Sequence, residues 1–180
     1  MKLKIKVKVL IPNMELPKVI NKGEWVDLRS AEEIKLTGPR AETLRRRKRN
    51  TPNEDSFRDV NFEFTLIPLG IAMKLPEGYE AIIAPRSSSF KNYGIIQANS
   101  IGIIDNSYSG NSDEWMLPVI SFKNITINKG DRVCQFRIQL SQKATIWQKI
   151  KWLLSSGIEL EEVDDLNSNN RSGFGSTGIK

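Results

Sequence analysis

The chain is 180 residues long, 39% hydrophobic and formally +6 at neutral pH; it can close one sizeable core in a single domain, and its charge suits an anionic partner such as a nucleotide, a nucleic acid or a membrane surface. Cys134 is the single cysteine and histidine is absent, which excludes an internal disulfide framework and histidine-dependent catalysis, weighs against structural zinc, and leaves carboxylates, hydroxyls, arginines and hard metal ions as the available chemistry. No apolar run approaches the roughly 20 residues of a membrane span and no signal-type apolar stretch opens the chain, so the expectation is a soluble cytoplasmic protein with no membrane partner.

From the N-terminus, residues 2–9 (KLKIKVKV) alternate lysine with apolar side chains, the pattern of a strand with one wet and one buried face. Asp27-Leu28-Arg29 follows at a predicted strand start. Residues 37–59 are polar and basic, with Arg45 to Arg49 an unbroken cationic run; lacking apolar periodicity, they read as a long loop or partly helical insertion whose charges lie on a solvated face. Short apolar runs bounded by Gly, Pro, Asn or Asp predict strands at 61–69, 79–84, 94–97, 101–104, 116–122 and 133–140.

Residues 144–156 carry Ile146, Trp147, Ile150, Leu153 and Leu154 at helical spacing, with Gly157 placed to end the helix. An amphipathic helix there is expected to cap or extend the core. The acidic block from Glu159 to Asp165 belongs on a solvated face or a loop, and the Asn-rich stretch 167–170 leads into a Gly-rich tail expected to be mobile without ligand. Many short strands with turn signals between them indicate an all-β sandwich, jelly roll or barrel.

Residues 102–110, GIIDNSYSG, place one carboxylate, Asp105, just past an apolar run and three residues before Tyr108. Alone, this segment also spells an ordinary turn. It gains meaning from its company: Asp27-Leu28-Arg29, then Pro85-Arg86-Ser87-Ser88, then Gly130-Asp131-Arg132-Val133-Cys134-Gln135, and finally Arg171-Ser172-Gly173-Phe174-Gly175-Ser176-Thr177-Gly178. In that order, with GIIDNSYSG in the middle, the segments resemble the five motifs of the trimeric dUTP pyrophosphatase (dUTPase) family. The resemblance selects the distorted jelly roll (the dUTPase-like β-clip) and implies a homotrimer. It also implies a β domain over 1–166, interrupted by a basic insertion at 37–59 and a helical one at 144–156, and a flexible arm at 167–180 that closes over a neighbouring subunit's site.

The activity implied is hydrolysis of dUTP between its α- and β-phosphates, giving dUMP and diphosphate. Asp105 corresponds to the family base that orients the attacking water and accepts from the deoxyribose 3′-hydroxyl. Tyr108 corresponds to the tyrosine that packs on the sugar and rejects a 2′-hydroxyl by shape. Asn99, before the apolar run 101–104, and Ile104, at its end, correspond to substrate-binding positions, Asn99 at the uracil edge. Arg86, Ser87, Ser88 and Gln135 match phosphate-side positions. Phe174 matches the aromatic that stacks on uracil, while Arg171, Gly175, Ser176 and Thr177 match the arm that closes over the phosphates. Arg171 stands nearer to Phe174 than its counterpart does in many members. Asp27 corresponds to the residue that supports Mg2+, usually through water, and the resemblance implies that each site draws on three chains. Cys134 stands where the family more often has alanine and is expected to be buried and inert.

Other readings remain open to the residues. One is a regulator of the same fold that uses the nucleotide as a signal and binds a partner protein. A second is dCTP deamination, for which Glu114 is the only glutamate near the Tyr-Ser-Gly turn. The third, a nucleic-acid-binding module around 45–49, lacks an aromatic stacking platform, so nucleic acid is not the expected partner.

Overall fold

The computed structural model describes residues 1–19, 24–47, 54–171 and 173. Along the chain these form β1 (Leu3–Val9), β2 (Val26–Arg29), β3 (Ile34–Leu36), β4 (Arg40–Arg47), β5 (Glu54–Asn61), β6 (Phe64–Pro68), β7 (Ile71–Lys74) and β8 (Tyr79–Pro85). A short helix, α1 (Ser89–Tyr93), precedes β9 (Ile95–Gln97), β10 (Gly102–Asp105), β11 (Met116–Ser121), β12 (Ile125–Ile127) and β13 (Arg132–Leu140). Helix α2 (Ile146–Leu153) and β14 (Ile158–Glu162) complete the described elements. The strands order as β14-β1-β7, β10-β8-β13-β2 and β6-β11-β9, with two-stranded pairs β12-β3 and β4-β5: the short, irregular sheets of a distorted jelly roll.

The alternation in β1 does what its sequence dictates. Leu3, Ile5 and Val7 are at most 2% exposed, each burial stabilising by about 1.5–3 kcal/mol, while Lys4 and Lys6 face solvent. β1 is central in its sheet, parallel to β14 on one side and antiparallel to β7 on the other. The acidic block thus becomes an edge strand whose glutamates are solvated. Behind the sheets, Trp115 packs edge-to-face on Phe136 at 5.4 Å, and both are fully buried. Among the described residues no helix is long and apolar enough to cross a membrane.

Two expectations need correction. Within 37–59, residues 40–47 and 54–59 are neither loop nor helix, because β4 and β5 pair as an antiparallel ribbon, while 48–53 lie outside the described residues. The register sets Arg46 opposite Asp55, Arg47 opposite Glu54 and Leu44 opposite Phe57.

Helix α2 forms inside the predicted window, opened by a reciprocal capping box between Thr145 and Gln148, but its apolar stripe does not cap the core. Ile146, Trp147, Leu153 and Leu154 are 65–82% exposed. The opposite side meets the body: Trp152 packs on Tyr79 at 5.7 Å, and the Tyr79 hydroxyl donates to the Gln148 carbonyl at 3.2 Å. A Cβ on Gly78, which has φ +82°, would crowd the side-chain amide of Gln148 that completes the capping box.

Candidate functional site

Strand β10 runs antiparallel to β8, with Gly102 opposite Ile83 and Asp105 opposite Glu80. The strand ends at Asp105 because its carboxylate folds the chain into a turn. Asp105 Oδ1 accepts from the Ser107 amide at 2.8 Å and from the Ser107 hydroxyl. Its other oxygen, Oδ2, accepts from Arg171 Nη1 at 2.6 Å. Burial pushes this carboxyl up, but the hydrogen bonds from Ser107 and Arg171 outweigh it and hold the group below its ordinary value. Asp105 is therefore ionised at neutral pH, with its side chain half exposed.

Tyr108 follows with its ring against the core and its hydroxyl donating to the Glu114 carbonyl at 2.8 Å. Burial, then the charges of Asp113 and Glu114, push its phenol up and keep it protonated. Ile104 packs partly buried against the same core. Asn99 is exposed on the β9–β10 turn, next to the left-handed Ser100 (φ 62°). Its Oδ1 accepts from the buried Gln97 amide at 2.9 Å. Asp105, Tyr108, Ile104 and Arg171 thus form one pole.

A second pole lies where β2, β13 and the end of β8 adjoin. Gln135 is opposite Asp27 on one side and Ala84 on the other. Arg86 Nε donates to Asp27 Oδ1 at 2.7 Å, and Arg132 Nη1 donates to Oδ2 at 3.1 Å, a carboxylate clamped between two guanidinium groups. Gln135 Nε2 donates to the Pro85 carbonyl at 3.3 Å. The turn carrying Arg86 is pinned by Ser89, whose buried hydroxyl accepts from the Arg86 amide and donates to the Val133 carbonyl. Ser87 is exposed, and Ser88 is half-buried at the start of α1. Cys134 is fully buried, and burial, with the Asp27 charge second, pushes its thiol far up, as an inert core residue requires.

The two poles do not meet within one chain. Glu80, opposite Asp105 near the start of β8, and Arg86, just past its end, stand about 20 Å apart at the rise of a strand. A cavity of about 170 Å³ beside Asp27 and Arg132 is smaller than the roughly 300–1,000 Å³ of a typical ligand pocket. A larger one of about 770 Å³, bordered by Trp25, Arg137 and Trp152, contains none of the predicted site residues. Phe174, Gly175, Ser176 and Thr177 lie outside the described residues. Arg171 was expected over the phosphates of a neighbour's nucleotide; in this structure it contacts Asp105 of its own chain.

Sequence reasoning missed Arg132, Ser107 and Asp113 as site residues. Arg132 lay in plain view within Gly130–Gln135, and Ser107 stands at the two-residue spacing of an Asp-initiated turn. Asp113 carries no comparable local signal, because it binds Arg171, 58 residues away. Among the described residues no group of three or more carboxylates or thiolates gathers to cage a metal ion, and both Asp27 oxygens already accept from arginines.

Comparison with known proteins identifies relatives of the whole chain. A family model described as dUTPase matches residues 56–178. The SPbeta prophage-derived deoxyuridine 5′-triphosphate nucleotidohydrolase YosS of Bacillus subtilis is 39% identical over 178 residues, covering 99% of this chain and all of that one. Among solved structures, a mutant dUTPase of Staphylococcus bacteriophage 80alpha with dUpNHpp aligns with a TM-score of 0.56 at 19% identity, over 97% of this chain and 98% of its own. A mutant dUTPase from phage phi11 of S. aureus, described for its coordination of a structural Mg(II) ion, aligns with a TM-score of 0.56 at 18% identity, over 79% and 94% of the two chains.

Proposed function

The chain belongs to the dUTPase family, and from that premise we infer that it is a dUTP diphosphatase, converting dUTP and water to dUMP and diphosphate at sites completed between copies of the chain. The observation that carries the reading is the ionised Asp105 carboxylate presented at the end of β10 with Tyr108 three residues on. In the reaction a water oxygen attacks the α-phosphorus, the bond from that phosphorus to the α–β bridging oxygen breaks, and diphosphate departs with that oxygen. Asp105 orients the water and takes its proton. A carboxylate held below its ordinary pKa is a weak base but a dependable acceptor, and in a loose phosphoryl-transfer transition state orientation counts for more than basic strength.

The second pole handles the phosphates. Arg86 uses Nε for Asp27, and the fork of its terminal nitrogens serves phosphate oxygens, with Ser87, Ser88, Arg132 and Gln135 as further donors. Tyr108 packs on the deoxyribose and excludes a 2′-hydroxyl, Ile104 packs beneath it, and the Asn99 turn reads the uracil edge. Residues 1–166 are the catalytic body. Residues 167–180 are the arm, with Phe174 stacking on the base while Gly175, Ser176 and Thr177 close over the nucleotide.

Asp27 would support a magnesium ion carried by the triphosphate, and because both of its oxygens already accept from arginines it would do so through water rather than as a direct ligand. When bound, the ion neutralises phosphate charge that develops on bond breaking. The separation of the poles supports a homotrimer, since closed three-fold symmetry gives every Asp105 a second pole from a neighbour.

The test is diphosphate release from dUTP, dTTP, dCTP and UTP with magnesium, with Asp105→Ala as control. Release from dUTP alone, falling roughly 10²- to 10⁴-fold in the mutant, is expected. Equal release from all four, or none from folded protein, contradicts the reading.

A further inference from the structure

Residues 165–171 run back along the loop between Tyr108 and Trp115 and are fastened to it at nearly every step. Asn111 Nδ2 donates to Asp165 Oδ1 at 2.8 Å, and Asn111 Oδ1 accepts from the Leu166 amide at 3.0 Å. The hydroxyls of Ser109 and Ser168 meet at 2.8 Å, and the Ser112 amide donates to Asn170 Oδ1 at 2.8 Å. Asp113 ends the run. It is 1% exposed, and its Oδ2 accepts from the Gly110 amide at 2.8 Å and the Arg171 amide at 2.9 Å.

A carboxylate so deeply buried is tolerable only when its oxygens are satisfied. Here one oxygen joins two segments of chain 61 residues apart (171 minus 110). The loop is shaped to receive the segment that Asp113 holds. A Cβ on Gly110 would lie 2.4 Å from the Cα of Asn170 and 2.6 Å from its amide nitrogen, backbone against which no side chain can yield. Farther on, the chain passes over the Tyr108 ring, a Cβ on Gly173 falling 3.1 Å from Tyr108 Cε2.

We propose that Asp113 is a positioning residue for dUTP hydrolysis: it fixes the root of the arm to the site loop of its own chain and so delivers the Arg171 guanidinium to Asp105. This rests on the dUTP diphosphatase reading and adds to it. The arm leaves the protomer that supplies Asp105, and whichever site it covers, its root travels with that pole. Asp113 itself touches no reacting atom; its effect passes through residue 171.

Asp113→Asn keeps the shape and removes the charge, and Gly110→Ala displaces Asn170 while leaving the charge in place. In the full chain, both should raise amide hydrogen exchange at 166–171 by about ten-fold or more without ligand. Both should lower kcat/KM for dUTP roughly 10- to 100-fold, the scale of a displaced site group. In a double-mutant cycle, Asp113→Asn should cost nothing further in an Arg171→Ala background. Unchanged exchange in both folded variants overturns the proposal, as does a full additional loss in the Arg171→Ala chain. Because exchange is read on the free protein, a wild type inactive on dUTP refutes the enzymatic reading while the clasp is still judged.

Discussion

At one end of β8, Asp105 stands on a turn, its oxygens held by a serine two residues away and by an arginine that arrives with the arm. At the other, Asp27 stands on a strand of a four-stranded sheet, its oxygens held by Arg132 of the neighbouring strand β13 and by Arg86 just past β8. Both poles balance a carboxylate with guanidinium, yet they are built for different duties. Sheet register holds Arg132 and Gln135, and the buried Ser89 hydroxyl pins the turn that carries Arg86, so the donors are in place before any ligand arrives, as electrostatic stabilisation of developing charge requires. The turn at Asp105 keeps its carboxylate half exposed, and its arginine arrives on the non-strand segment 165–171, far along the chain. The fixed pole suits the phosphates, on which charge develops as the bond breaks, and the pole at Asp105 suits the water and sugar, whose positions must be adjusted.

This contrast can be sharpened by substitution. Arg86→Lys preserves charge but loses the planar fork and the Nε bond to Asp27. If the pole acts through fixed geometry, kcat/KM falls roughly 10- to 100-fold with little change in thermal stability; a loss under two-fold would reduce the pole to simple charge. A smaller effect separates the poles by pH. The Asp105 carboxyl is held below its ordinary value of about 3.9, so its contribution to folded stability is complete above that value and is lost as pH falls through the lower folded one. NMR titration of the carboxyl in the free protein should give a midpoint under the ordinary value, moving upward in Arg171→Ala. A midpoint above 5 would mean that burial, not hydrogen bonding, governs the group.

Much of this was legible because the governing signals were local. The unbroken alternation in residues 2–9 could form only a half-buried strand, and residues 102–110 announced a strand ending in a turn, while only the whole set of motifs identified the family. Helix α2 was legible in place but not in orientation: periodicity reports that a helix has an apolar side, not which side meets the body, and here Trp152 and Gln148 do. The ribbon of β4 and β5 was hidden because its pairing, Arg46 with Asp55 and Leu44 with Phe57, exists only across strands. The pairing of acidic β14 with β1 was hidden likewise, since it joins the two ends of the chain. In the site, the same limit concealed Arg132 against Asp27, 105 residues apart, and Asp113 against Arg171. The separation of the poles along β8 could not be read at all without strand register.

That separation makes the central claim testable by mixing two inactive chains, Asp105→Asn and Arg86→Ala, unfolding and refolding them together in equal amounts, and measuring diphosphate release from dUTP. If each site takes Asp105 from one protomer and Arg86 from its neighbour, random assembly leaves about one site in four with both residues intact, and activity returns to roughly a quarter of wild type. If both residues of a site come from the same chain, every site in the mixture lacks one of them, and verified mixed assemblies that stay inactive would contradict the account.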